Sequence, residues 1–201
     1  MLLEAVAKAK VRFQKATKAL EAIRDSEKFS ELEFAWTDYL HAHNSIFTIL
    51  EQGAKNNPQS RQWFGAKKKF RKADSLLNYL HQARNADEHG ISSVIERRLS
   101  GGITFGEQPA GAGRKITKVT FKPAGGKEVV LEQDDGGISS VTVLRPVFLL
   151  LKVRNTRFGG EWEPPSAHLG EPLRSPRPIQ VAEIGLQYVA NLISEAEKMI
   201  Q

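Results

Sequence analysis

Phe70, Ala73, Leu76, Leu77, Leu80 and Ala83 recur at spacings of three and four, which puts all six on one face of an α-helix. A stripe this regular has to be buried against another apolar surface, and it makes a helical core the first expectation. A second set, Arg71, Ser75, Asn78, Gln82, Asn85 and His89, steps by four, three, four, three and four. It forms a polar stripe well round the cylinder from the apolar one. Asn85 and His89 are i and i+4 and are surface neighbours on a helix that reaches His89. Arg84 lies at the edge of the stripe, about 100° round from Asn85. Gly90 follows and weakens the helix there.

The flanking chain carries the same period. Over residues 2 to 25, Leu3, Val6, Phe13, Leu20 and Ile23, with small Ala9 and Ala16, form an inward stripe. Glu4, Lys8, Arg12, Lys15 and Lys18 point outward as a solvated face. Ser30-Glu31-Leu32-Glu33 reads as a capping box that opens a second helix running to about Gln52. Its buried side carries Leu32, Trp36, Tyr39 or Leu40, His43, Phe47 and Leu50. Asn56-Asn57-Pro58 is a turn with Pro near the first helical position, and a third helix is expected from Gln59 to at least Ala86. Trp63, Phe64 and Phe70 are its early core candidates. Ile91, Val94 and Ile95 with Glu96-Arg97-Arg98 suggest a short fourth helix, stopped by Ser100-Gly101-Gly102.

The composition then changes. Residues 101–114 hold five Gly and one Pro and read as a linker; without Gly-Lys-Ser/Thr or a preceding strand they match no nucleotide-binding fingerprint. Lys115 to Phe121 and part of Lys127 to Glu132 alternate with period two around Pro123-Ala124-Gly125-Gly126, a hairpin pattern. Ser140 to Leu144 is a third β stretch. Val147 to Val153 is either a strand or a short buried helix. Residues 154–178 are irregular and Pro-rich, with Trp162 as an anchor and His168 as a structural or solvated loop histidine. Ile179 to Ile200 is an amphipathic helix with Ile184, Tyr188, Leu192, Ile193, Ala196 and Met199 in register.

The expected fold class is therefore α+β. An antiparallel helical bundle spans 1–99, a β-rich and irregular region spans 100–178, and a C-terminal helix over 179–201 packs on the bundle or on a second subunit.

Charge and composition narrow the chemistry. There is no Cys, so disulfides, thiolate catalysis and Cys-ligated metals are excluded, which fits a cytoplasmic protein. The amino end lacks a basic region leading into an apolar core, so no signal peptide is expected, and Val147 to Leu151 is far too short to span a bilayer. The net charge is +6, and residues 1–100 hold 17 Lys+Arg against 12 Asp+Glu. That excess favours an anionic partner, nucleic acid first. Lys67, Lys68, Lys69, Arg71 and Lys72 are the densest basic cluster; with Asn78 and Gln82 they are the candidate phosphate contacts, about three helical turns upstream of Arg84 and His89. Asp38 and His41 have chelating i, i+3 spacing but lack a complementary pair, so no metal is expected; His43 reads as a hydrogen-bonded core histidine.

The chemically loaded end of the central stretch joins three complementary groups. An imidazole near pH 7 can take a proton from a ribose 2′-hydroxyl or return one to a leaving oxygen. A guanidinium can hold a phosphate and stabilise the added charge of its transition state. An amide can position an oxygen or fix the imidazole tautomer. Together they suffice for RNA cleavage by internal transesterification without a metal or other cofactor.

Arg84-Asn85-Ala86-Asp87-Glu88-His89 resembles the Arg–polar–x(3)–His motif of the HEPN superfamily, small helical bundles that include toxin and defence ribonucleases. The helical pattern of residues 1–99 fits that fold; residues 100–201 lie outside the resemblance. It implies a homodimer with two motifs facing across a cleft, Arg84 contacting phosphate, His89 as acid and base, and Asn85 supporting them. It also implies RNA as substrate and leaves room for a cognate antitoxin protein. HEPN-like proteins also occur as noncatalytic nucleic-acid or nucleotide-binding modules and as interaction scaffolds, and Arg84 can instead pair with Glu88 at i+4.

Overall fold

The computed structural model describes residues 1–89, 93–99, 116–122, 128–133, 138–141, 146–154, 159–173 and 177–200, with side chains described outside 89, 99 and 116–146. The linker 101–114 and the turn at 123–126 lie outside these residues. The chain divides into two compact units, Met1–Glu96 with Phe148–Gln201, and Arg97–Val147.

In the first unit, α1 spans Leu3–Asp25, α2 Phe29–Ala54, α3 Pro58–Ala73 and α4 Ser75–His89; the chain returns as α5, Pro178–Glu197. Helices with small antiparallel strand pairs make the chain α+β. No helix among the described residues is long and apolar enough to cross a membrane.

The third helix differs most from expectation. The single helix from Gln59 to Ala86 is two helices, broken at Asp74, whose backbone is extended (φ −77°, ψ 128°). Asp74 closes α3 by donating its N–H to the Phe70 carbonyl and opens α4 by accepting the Asn78 N–H. Its carboxylate also accepts the Leu77 N–H at 2.9 Å, the bond expected of an Asp N-cap. The second helix begins at Phe29, not after Ser30; Lys28 is its N-cap, and Glu31 accepts the Lys28 N–H at 3.3 Å. The short fourth helix is instead a strand, β1 (Ile95–Leu99), which starts buried at Ile95 and is exposed at Arg97 and Arg98. It pairs with β5 (Pro146–Leu150), which resolves the ambiguity at Val147 in favour of a strand.

Two contiguous apolar clusters make the core of this unit. One joins Leu20, Ile23, Leu32, Trp36, Tyr39 and Leu40 to Leu76, Leu77, Leu80, Leu150 and Val181, with Trp162 packed against it. The other joins Val6, Ile46, Phe47, Leu50 and Phe64 to Val189, Leu192 and Ile193. Helix α5 lines both, and Leu3 and Phe70, expected inside, are exposed by 65% and 37%. Tyr39, fully buried, donates its hydroxyl to the Ala182 carbonyl at 2.8 Å, beside Gly185. A Cβ at Gly185 would lie 2.7 Å from the Tyr39 hydroxyl and 2.8 Å from Leu80 Cδ1. Gly185→Ala is therefore expected to cost about 2 kcal/mol by overpacking, read as a lower urea midpoint at unchanged slope.

The irregular stretch carries two short antiparallel pairs, β6 (Val153–Arg154) with β7 (Glu161–Trp162), and β8 (Ala167–His168) with β9 (Glu171–Pro172). In the second unit, β2 (Ile116–Lys122), β3 (Glu128–Gln133) and β4 (Ile138–Val141) form an antiparallel meander. Phe121 opposes Val129 and Val130 opposes Ser140, with an irregularity between Ile116 and Lys118.

Candidate functional site

The end of α4 holds the Arg–polar–x(3)–His motif. Arg84 makes a two-pronged ion pair with Glu88 one turn on, Nη2 to Oε1 at 2.7 Å and Nη1 to Oε2 at 2.5 Å. Its Nη1 also approaches the Asn85 Oδ1 at 3.4 Å. Asp87 faces α2, accepting the Thr37 hydroxyl at 3.0 Å with His41 Nε2 at 3.8 Å. The backbone of α4 runs to His89, whose side chain lies outside the described residues. Among the described residues, then, the motif is an arginine committed to a carboxylate, with an amide beside it.

A second cluster arises from the break at Asp74. On one continuous helix, Arg71 and His81 would sit about 15 Å apart along the axis. The bend turns α4 back so that Arg71 Nη2 reaches His81 Nδ1 at 3.2 Å and Asn44 Oδ1 of α2 at 2.7 Å. The Arg71 guanidinium carbon stands 4.0 Å over the Phe47 ring, a cation–π contact. These groups line a pocket of about 250 Å³ between α2, α3 and α4, with Phe64, Glu51, Lys68, Lys72 and Asn78 completing its wall.

The pocket is electropositive. Lys68 pairs with Glu51 at 2.6 Å, but neither Arg71 nor Lys72 has a carboxylate within ion-pair distance among the described residues. Arg71 Nε is buried without a hydrogen-bond partner among those residues. Burial lowers the Arg71 pKa to about 10, against the opposing pull of Glu51. Burial first, then Arg71, Arg84, Lys72 and Lys68, lowers the His81 pKa to about 4. A neutral His81 accepts from Arg71 at Nδ1, so its proton sits on Nε2.

The sequence-predicted phosphate contacts divide accordingly. Lys68, Arg71, Lys72 and Asn78 line the pocket. Lys67 turns away, bound to Glu195 of α5, which also accepts from Trp63 Nε1 at 3.0 Å. Lys69 is exposed, and Gln82 donates to Asn78 at 3.5 Å. The basic cluster lies on α3 as one run, but Asn78, Gln82 and Arg84 fall on α4, so the single straight helix expected to carry all of them is corrected. Asn44, Glu51 and His81 were missed; the Ala73-Asp74-Ser75 cap signal was the clue that could have found them.

Elsewhere, His168 is clasped: its Nδ1 lies 3.0 Å from Asp74, and the adjacent Leu169 N–H donates to the same carboxylate at 2.9 Å. Leu169 has a left-handed backbone (φ 52°), and Gly170 follows at φ 86°, a turn favoured by Asn and Gly. His43 is buried as expected, but its Nε2 has no hydrogen-bond partner among the described residues. No group of three or more His, Asp or Glu among the described residues could hold a metal. No protein-family model, curated protein or solved structure matches the chain.

Proposed function

We propose that the helical unit is an RNA-binding module whose α2–α3–α4 face holds phosphates. The observation that carries this reading is the Arg71–His81–Asn44 pocket, where a largely buried guanidinium bonds neutral groups instead of a carboxylate. Burying an uncompensated charge is costly, and an arriving anion relieves that cost. Lys72 carries positive charge at the exposed wall of the pocket, and exposed Lys69 extends the positive surface beyond it. RNA binding is expected to weaken linearly in log salt, losing about one unit of slope for each phosphate-contacting lysine removed.

A second reading is a metal-independent endoribonuclease of HEPN type, with Arg84, Asn85 and His89 as its catalytic set. It is favoured by the adjacency of Arg84 and Asn85 at the end of the helix that closes on His89. In this reading two copies of the chain face each other, and a neutralising antitoxin is a natural partner. The Arg84–Glu88 pair must then open to admit phosphate, which ranks cleavage below binding. Purified protein is incubated with a mixed RNA pool in excess EDTA beside Arg84→Ala and His89→Ala. Binding without cleavage supports the module; EDTA-resistant cleavage abolished by both substitutions, with cyclic-phosphate ends, supports the ribonuclease. A cytoplasmic location suits either.

A further inference from the structure

The pocket between α2, α3 and α4 is too small for the RNA reading alone to define its occupant. Its volume of about 250 Å³ falls below the roughly 300–1,000 Å³ of sites that enclose a drug-sized molecule, so it fits a head group and not a whole nucleotide. Its charge is also specific. Lys68, Arg71 and Lys72 bring three cations, Glu51 removes one, and His81 is neutral, leaving a surplus of two. A phosphodiester carries one negative charge. A phosphomonoester, with its second ionisation near pH 6, carries close to two at pH 7.

We propose that this pocket binds a single phosphate dianion, inorganic phosphate or the phosphomonoester end of an RNA strand, through Arg71 and Lys72. The inference rests on reading this face as anion-binding and adds the class of anion. Arg71 supplies donors that match phosphate geometry, and Phe47 holds its plane from behind. The Asn78 amide and the Asn44 amide line the same pocket, so the dianion meets neutral polar groups and one carboxylate, Glu51, already paired.

The histidine makes the site responsive to its ligand. His81 Nδ1 lies 3.2 Å from Arg71 Nη2 and 3.3 Å from Asn44 Oδ1, and it cannot serve both. Neutral, it accepts from Arg71; protonated, it donates to Asn44. A bound dianion draws Arg71 away and offsets the cations facing His81, namely Lys68, Arg71 and Lys72 on α3 and Arg84 on its own helix. From α2 the charged or titratable groups near it are Glu51 and His43. Bound phosphate is the dianion at pH 7 and a monoanion where His81 titrates, and in either form its negative charge raises the affinity of His81 for a proton drawn from solvent.

The test is an NMR titration of the full chain with pH, with and without saturating inorganic phosphate, the His81 signal being assigned by its loss in His81→Gln. The expected result is a rise of the His81 pKa by about one unit or more on adding phosphate. In parallel, binding of 5′-phosphorylated and 5′-hydroxyl forms of one oligoribonucleotide is compared at fixed salt, with wild type and Arg71→Gln. A preference of about tenfold for the phosphorylated form, lost in Arg71→Gln, assigns the site to an RNA end. A phosphate-driven shift without that preference assigns it to free phosphate. An unmoved His81 together with equal binding of both oligonucleotides overturns the inference while leaving RNA binding standing. A shift of His81 with no RNA binding at all keeps the phosphate site and removes the RNA reading. The wild-type titration needs no variant to fold beyond the one used for assignment.

Discussion

Asp74→Ala is expected to destabilise the protein by about 3 kcal/mol and to lower its melting midpoint by about 10 °C. The carboxylate is 8% exposed and serves three partners from two parts of the chain: the Leu77 N–H, the Leu169 N–H and His168. Burial works against its ionisation, but the two backbone donors and His168 outweigh it and hold the pKa below the ordinary carboxylate value. Removing the side chain strips α4 of its cap, worth about 1 kcal/mol, and leaves the buried Leu77 N–H and the half-buried Leu169 N–H without their acceptor. Asp74→Asn keeps one acceptor and is expected to lose less, roughly half as much. Urea unfolding of the three proteins checks the order; equal stability of wild type and Asp74→Ala would show that the junction is held by something else. The same substitution is expected to disturb the pocket, because Asp74 sets the angle that brings Arg71 to His81.

The second large effect is acid sensitivity. His43 is 1% exposed, and its pKa is lowered to about 3 by burial first, then by Arg71, with a smaller push from His81. The unfolded chain takes up this proton near pH 6.5, the folded chain only near pH 3. Between those values the unfolded state binds more protons, so stability falls as pH falls. At pH 4 the His43 contribution amounts to a loss of about 3 kcal/mol relative to pH 7. His81, lowered to about 4 and partly exposed, adds a smaller loss of the same sign. Urea midpoints measured at pH 7, 5.5 and 4 are expected to drop steeply in wild type and less in His43→Leu. Parallel curves for the two proteins would mean that His43 does not carry the effect.

The helical half was legible because its periodicity is strong. The stripes through Val6, Leu20 and Ile23 and through Trp36, Phe47 and Leu50 are buried where the period puts them. The break at Asp74 was not, since the apolar stripe from Phe70 to Ala83 continues in phase across it. A single carboxylate then decided the local geometry against a pattern of six apolar residues. The consequence reached the functional reading, because a straight helix separates Arg71 from His81 and hides the cluster they form. Residues 95–99 failed for a related reason: Ile95 and Leu99 suit a helix and a strand alike, and only pairing with the remote β5 decides between them. The clasp of His168 by Asp74 joins residues 94 positions apart, beyond any local pattern. At the motif itself, the i, i+4 pairing of Arg84 with Glu88 was readable from spacing, and it is the geometry observed.

RNA binding by the α2–α3–α4 face is tested most directly by the salt dependence of affinity for a single-stranded RNA in three proteins. They are wild type, Lys69→Gln/Lys72→Gln, and the control Lys15→Gln/Lys18→Gln. All four lysines are at the surface: Lys72 lines the pocket and Lys69 is exposed on the same helix, and Lys15 and Lys18 line a separate groove between α1 and α2. The account predicts a wild-type affinity that falls steeply with salt, a slope lower by about 1 to 2 in the α3 variant, and no change in the control. Equal slopes in all three proteins, or a loss confined to the α1 variant, would contradict it.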